Sequence, residues 1–340
     1  LSDILGPVTR YATIAGVGSF LPSRIVPNTW FEDFLDTTDG WIRDRTGIGS
    51  RRFADDDQVT SDLAVAAARQ ALDSADLAPE RIDLIICATA TGDTPMPATA
   101  VWVQRKLGLT CPAFDVNAAC AGFSYALTTA TAFVTSGAAE TVLLIGAEIF
   151  SRILDLTDRS TCVLFGDGAG AVLVQTAEAP GIEGSLLGAD GEEAEILWMP
   201  AGGSRTPASP ESVQERQHTL QMPNGREVFK RAVTEMAASC LQVLEKSGHT
   251  IDDVDVLIPH QANARIMTAV AHRLGLDPEK AVIDVAEVGN TSAASIPIAL
   301  DRAWRGGRVH HGDLVLCTSF GAGLTWGATL VRWTMQDVAA

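Results

Sequence analysis

Apolar residues recur along this chain in two alternating rhythms. Short, nearly unbroken apolar runs read as strands buried on both faces. They are Tyr11–Gly18, Ile82–Ala88, Ala113–Val116, Thr141–Gly146, Ala171–Gln175, Val254–Ile258 and Ala281–Val285. Between them lie stretches whose apolar positions fall three and four apart, the spacing of a helix with one buried face. These are Asn28–Phe34, Ser61–Ala75 with Ser61 as N-cap, Ala98–Leu107, the segment from Cys120 to Gly137, Val228–Lys246 and Asn263–Leu274. Thr37–Arg52 reads as a loop-rich basic segment, and Thr91–Pro97 as a loop broken by prolines. Glu178–Pro223, rich in Pro, Gly, Ser and Glu, reads as an irregular surface connection. Gly16-x-Gly18 is not a dinucleotide fingerprint, since Pro22 follows and no helix begins there.

The pattern runs through twice. Ser61–Ala75 leads to Arg81–Ile86 as Val228–Lys246 leads to Asp253–Ile258. Phe114–Leu127 is echoed by Ile283–Leu300, Glu140–Glu148 by Gly312–Phe320, and Gly168–Gln175 by Trp326–Trp333. Matched segments in the same order indicate an internal duplication. Each half alternates strand and helix, so each predicts a mixed or mostly parallel sheet covered by helices. Two such sheets packed together predict an α/β protein with five layers, α/β/α/β/α. The expected division is 1–178 for the first half, 179–223 for the connection and 224–340 for the second half.

In open α/β sheets ligands gather at the carboxyl ends of the strands. Three elbows fall there. One holds Cys120, the second, PHQAN, holds His260, and the third, VGNTS, holds Asn290. Each residue alone has an ordinary reading. A free Cys is commonly a small buried hydrophobe, a lone His a hydrogen-bonded structural group, and an Asn beside Gly a turn residue. Together they supply a nucleophile and two neutral hydrogen-bond donors. The helix start at Cys120 is expected to favour thiolate over thiol.

Composition narrows the choice. The 340 residues are 46% hydrophobic, enough for a large core, and the net charge of −17 argues against nucleic acid as the main partner. No apolar run is long enough to span a membrane, and no signal peptide is read at the start. The six cysteines form no C-x-x-C pair and the six histidines lack metal-ligand spacing. A reduced, cytoplasmic protein without a metal is the expectation.

Several segments bring a family into view: TDGWIRDRTGI (Thr38–Ile48), CPAFDVNAACAGFSYAL (Cys111–Leu127), FGDGAGAVL (Phe165–Leu173), PHQANARI (Pro259–Ile266), GNTSAASIPIAL (Gly289–Leu300) and SFGAGLTWGATLVRW (Ser319–Trp333). Through them the chain resembles the β-ketoacyl-acyl-carrier-protein synthase III family of the thiolase superfamily, and also the priming synthases of aromatic polyketide pathways. The resemblance implies a thiolase-like fold, a homodimer, and a triad of Cys120, His260 and Asn290. Cys120 would take a short acyl group from acyl-CoA and condense it with malonyl-acyl carrier protein as CO₂ leaves. Backbone N–H groups of Cys120, Ala322 and Gly323 would hold the oxyanion. No cofactor is implied beyond the CoA thioester, which is a substrate.

The same resemblance assigns Thr37, Trp41, Arg45, Arg159 and Asn263 to the CoA and pantetheine arm. Arg226 is a further candidate on that arm, standing where the common member has Asn. Arg265 and Arg273 are candidates to meet the acidic carrier protein. Met96 replaces a Phe that the common bacterial enzyme reaches into its partner's acyl pocket. Met is narrower and more adaptable, so a primer larger than acetyl is expected, propionyl or branched. Competing readings are an acyltransferase of the same fold acting on an oxygen or nitrogen nucleophile, and a catalytically silent dimer partner.

Overall fold

Residues 10–338 are described by the structure, a computed structural model; positions 1–9 and 339–340, the outer ends of the two expected halves, lie outside the described residues. The first half runs β1 (Tyr11–Phe20), β2 (Arg24–Pro27), α1 (Thr29–Glu32), α2 (Asp39–Thr46), β3 (Ser50–Phe53), α3 (Thr60–Ser74), β4 (Leu84–Ala88), α4 (Thr99–Leu107), β5 (Ala113–Val116), α5 (Gly122–Thr135), β6 (Thr141–Glu148) and β7 (Gly168–Ala177). The second runs β8 (Ile182–Ala189), α6 (Pro210–Gln214), α7 (Gly225–Lys246), β9 (Val256–Pro259), α8 (Ala264–Leu274), α9 (Val285–Val288), α10 (Ser295–Arg305), β10 (Leu314–Gly321) and β11 (Thr325–Arg332).

The duplication is visible in the sheets. The first has the order β1-β7-β6-β4-β5 and the second β8-β11-β10-β9. A single parallel bridge, Leu257 to Ala281, stands where the fifth strand would be. Pairing repeats as well. β1–β7 and β6–β7 are antiparallel and β4–β6 parallel, as β8–β11 and β10–β11 are antiparallel and β9–β10 parallel. Neighbouring residues of a strand serve opposite faces. Ile85, Leu143 and Leu173 pack outward under Leu63 and Ala67 of α3. Ile86, Leu144 and Val172 pack inward on Phe123 and Leu127 of α5 and Ile296 and Leu300 of α10. Both faces are covered, which is why these strands read as unbroken apolar runs. The inner core continues to Ile258, Val315 and Val331 of the second sheet, and α7 and α8 close its far side. The five-layer thiolase-like arrangement is therefore present. Gly18 serves packing: a β-carbon there would lie 2.4 Å from the Ala71 backbone nitrogen of α3.

Several local expectations are corrected. The segment 178–223 is not wholly irregular, because β8 pairs along its length with β11. No strand forms over Ala281–Val285; the single bridge is followed by α9. The basic loop Thr37–Arg52 holds α2, with Thr38 accepting a bond from Trp41 N and Gly47 ending it at φ +77. Ser61 does not cap α3; it lies inside the helix, where its N–H and hydroxyl both donate to Asp93. No described helix is long and apolar enough to cross a membrane.

Candidate active site

Cys120 sits in a 3-10 turn, Ala119–Ala121, between β5 and α5, so it precedes the α-helix rather than opening it. Ala119 adopts φ +45, which bends the chain sharply there. The end of β10 presses on this elbow. A β-carbon at Gly321 would lie 2.7 Å from Cys120 N and 2.8 Å from Ala121 N, so only glycine fits. Cys120 is 6% exposed. Burial pushes its thiol up to about 12, against the expectation of a ready thiolate. The loss of hydration outweighs the helix end.

The thiol lies where two chambers meet. One, of about 120 Å³, is lined by Cys120, His260, Asn290 and Asn263, with Phe229 and Phe320 among its apolar walls. The three sequence-distant residues therefore share one cavity. The other, of about 160 Å³, runs from Cys120 past Ala90, Phe150, Ile153, Trp198 and Leu220 to Ala322.

His260 follows β9, its N–H bonded to Thr318 O at 2.7 Å. Its Nδ1 lies 2.6 Å from Ser295 Oγ. The Gln261 N–H donates to that same oxygen at 3.3 Å. With Nδ1 engaged by Ser295, Nε2 is the ring nitrogen left for the chamber. Burial lowers the His260 pKa to about 3, so the ring is neutral. Asn290 is fixed through its backbone to Leu164 O and Gly166 N, both at 2.9 Å. Its Oδ1 accepts from Ser292 N at 2.9 Å, so its NH₂ end is free to donate. Asn290 thus offers a donor, and His260 offers a second in the tautomer that carries its proton on Nε2, an arrangement suited to an oxyanion or enolate. Ser295 and Gly321 were not singled out from the sequence; the second serine of GNTSAAS and the glycine ending a buried strand were their only signals.

Two of the residues expected along the thioester arm gather on a third, Trp41. Arg45 and Arg159 lie over the Trp41 ring, at 4.9 and 4.6 Å from its centroid. The Thr37 hydroxyl is buried without a partner. Asn263 caps α8 through Arg265 N at 2.8 Å, donates to Arg45 O at 3.1 Å, and lines the first chamber. Arg226 is exposed on the first turn of α7 and lines neither chamber. Arg265 shares an open groove between α2 and α8 with Arg43 and His272, whereas Arg273 is exposed outside it. Ala322 lines the second chamber, while Gly323 lines neither. Met96 is 86% exposed and lies outside its own chain's chambers. Among the described residues no group of three or more His, Cys, Asp or Glu side chains is placed to hold a metal.

Comparison with known proteins gives a consistent answer. Residues 114–191 match the family described as 3-oxoacyl-[acyl-carrier-protein (ACP)] synthase III, and residues 244–333 match its C-terminal family. The chain is 51% identical over 325 residues to the beta-ketoacyl-[acyl-carrier-protein] synthase III of Caldanaerobacter subterraneus, covering 95% of this chain and 98% of the relative. It is 49% identical over 337 residues to synthase III 3 of Streptomyces coelicolor, covering 97% and 99%. Among solved structures, the Aquifex aeolicus 3-oxoacyl-[acyl-carrier-protein] synthase III matches with TM-score 0.87 and 45% identity, over 95% of this chain and 100% of that one. The priming β-ketosynthase of the R1128 polyketide pathway matches with TM-score 0.90 and 36% identity, over 98% and 100%.

Proposed function

The chain belongs to the β-ketoacyl-acyl-carrier-protein synthase III family and is a condensing acyltransferase; from that premise we propose that it loads a short acyl primer from acyl-CoA onto Cys120 and condenses it with malonyl-acyl carrier protein. The observation that carries this reading is the shared chamber, in which a buried sulfur meets a neutral imidazole and a carboxamide. Cys120 sulfur attacks the thioester carbonyl. Its own N–H and those of Ala322 and Gly323 hold the tetrahedral oxygen. CoA leaves and the malonyl thioester enters. Loss of CO₂ leaves an enolate, whose oxygen takes hydrogen bonds from His260 Nε2 and the Asn290 amide. The carbanion attacks acyl-Cys120 and the β-ketoacyl thioester departs. This chemistry uses no metal or redox cofactor.

Trp41 and Arg159 would sandwich the adenine, with Thr37, Arg45 and Asn263 following the arm inward. The Arg226 side chain is left without a role. Arg265 and Arg273 offer positive charge on α8 to an acidic carrier protein. A homodimer fits two features. β5 is an edge strand with no partner on its outer side among the described residues, and Met96 stands almost fully exposed. A second copy would receive that Met96 at the second chamber. Because Met is narrower and more adaptable than the Phe it replaces, we assign a primer larger than acetyl, propionyl or short branched. The relatives near half identity carry the synthase III name, which favours fatty-acid initiation over polyketide priming.

The test is mass spectrometry of the protein after exposure to equal acetyl-, propionyl- and isobutyryl-CoA, followed by malonyl-acyl carrier protein. The expected result is propionyl or isobutyryl on Cys120, cleared with CO₂ release. Exclusive acetylation would overturn the primer assignment. Transfer of the acyl group to an amine or alcohol without CO₂ would overturn condensation.

A further inference from the structure

β10 and β11 form a hairpin whose closing turn lies against the Cys120 elbow. Gly321 and Thr325 face each other as the last pair of its ladder. Gly321 meets the elbow by bare contact, since a β-carbon there would lie 3.1 Å from Ala118 O. Thr325 meets it by a hydrogen bond. Its Oγ1 lies 2.9 Å from Ala118 O and 3.0 Å from Ala322 O. Ala118 immediately precedes the 3-10 turn that holds Cys120, and its oxygen also accepts from Ala121 N at 3.0 Å. Ala322 is the first residue after β10.

A hydroxyl carries one proton, and both of these neighbours are carbonyl acceptors. Thr325 Oγ1 therefore stands as a donor between two backbones that belong to opposite halves of the molecule. The turn folds back over the same side chain. Gly323 has φ +140, and a β-carbon there would lie 2.8 Å from the Thr325 methyl. The Ala322 carbonyl and the Gly323 N–H share one trans peptide plane and point opposite ways. Holding the carbonyl on Thr325 thus fixes the direction of that N–H.

We propose that Thr325 is a positioning residue for acyl transfer: its hydroxyl bridges Ala118 and Ala322, and so sets the spacing between the Cys120 sulfur and the N–H groups of the Ala322–Gly323 turn. It acts through the backbone on either side and gives up no proton to the reaction. The need follows from the chemistry. Attack by sulfur turns the thioester oxygen into an oxyanion, and donors stabilise it only if they already stand where that oxygen will be. The sulfur comes from the first half and the turn from the second, so no single element sets their separation. A second bond crosses the same seam, Ser124 Oγ of α5 to Ser319 Oγ of β10 at 2.7 Å. It joins two side chains and holds neither the elbow carbonyl nor the turn.

This inference rests on Cys120 being the acylated residue. The test follows single-turnover acylation of Cys120 by rapid-quench mass spectrometry, using acetyl- or propionyl-CoA, whichever loads wild type faster. Alkylation of Cys120 by iodoacetamide is measured alongside, because it uses the sulfur and develops no oxyanion. Thr325→Val should lower the maximal acylation rate roughly 10- to 100-fold. Its half-saturating acyl-CoA concentration and its alkylation rate should stay within about threefold of wild type, since the loss falls on the transition state alone. Thr325→Ser keeps the hydroxyl and should restore most of the acylation rate. Ser124→Ala should lower the urea midpoint yet leave acylation near wild type. Should Thr325→Val not fold, Thr325→Ala removes the same hydroxyl and carries the same expectations. Acylation near wild type in the variant without the hydroxyl overturns the inference. So do equal losses of acylation and alkylation, or a Thr325→Ser as slow as Thr325→Val. Absence of Cys120 acylation in wild type would overturn the underlying reading of Cys120, and this inference with it.

Discussion

One methyl group at position 321 tests how tightly the two halves of the molecule grip the nucleophile. In Gly321→Ala the new β-carbon would lie 2.7 Å from Cys120 N, 2.8 Å from Ala121 N and 3.1 Å from Ala118 O, where ordinary contact begins at 3.4 Å. All three atoms are backbone, so no side chain can rotate away. Relief needs a displacement of 0.7 Å (3.4 − 2.7) between β10 and the Cys120 elbow. Overpacking of this kind costs about 1–3 kcal/mol in stability. A reacting sulfur displaced by most of an ångström should slow acylation roughly 10- to 100-fold. Gly122→Ala is the control. Its β-carbon would meet the methyls of Ala293 and Ala88, both at 3.3 Å, and the Ala88 Cα at 4.0 Å, so a shift of about a tenth of an ångström restores ordinary contact. The assay is single-turnover acylation of Cys120, with urea unfolding in parallel. Wild-type acylation in Gly321→Ala, or equal losses in both variants, would refute the claim that backbone contact sets the sulfur's position.

Two further outcomes follow from buried charges. Arg51, wholly buried, donates to Val26 O at 3.1 Å, Asn28 Oδ1 at 2.8 Å and Val163 O at 2.7 Å, and burial lowers its pKa to about 10. Arg51→Met should destabilise the fold by about 3 kcal/mol, because three desolvated acceptors lose their donor; urea unfolding checks this, and a loss under about 1 kcal/mol contradicts it. His260 is held near 3 against 6.5 unfolded, so the unfolded chain binds the extra proton between those values and stability falls as pH drops through that window. Relative to His260→Gln, wild type should lose about 2 kcal/mol between pH 7 and pH 5. Glu148 acts in the opposite direction: its raised pKa makes its stabilisation fullest below 4.5 and lost as pH rises through about 7. It is common to both proteins and cancels in the comparison. An unchanged difference at the two pH values would show that His260 is not buried as a neutral ring.

Periodicity and repetition are local properties, and they carried most of the fold into the sequence. Runs such as Leu84–Ala88 are apolar on both faces wherever helices cover both, so the layered sheets could be read before any coordinates. Reading Cys120, His260 and Asn290 at the carboxyl ends of strand patterns on a duplicated sheet made their convergence an inference rather than a guess. Partners far along the chain decided the rest. β8 exists because β11 offers it a ladder, and nothing within 178–223 announces that. The partner of His260 Nδ1 is Ser295, supplied by α10. The protonation of Cys120 turned on burial, a property of the whole packed interior, and here it opposed the helix end that the local sequence displayed. Glu148 lay hidden as the final letter of an ordinary strand, and only the tertiary structure buried it completely under donors from Thr89, Ala90 and Thr91. Sequence fixes which groups are available. Solvent exclusion and long-range contact decide which of them carry protons.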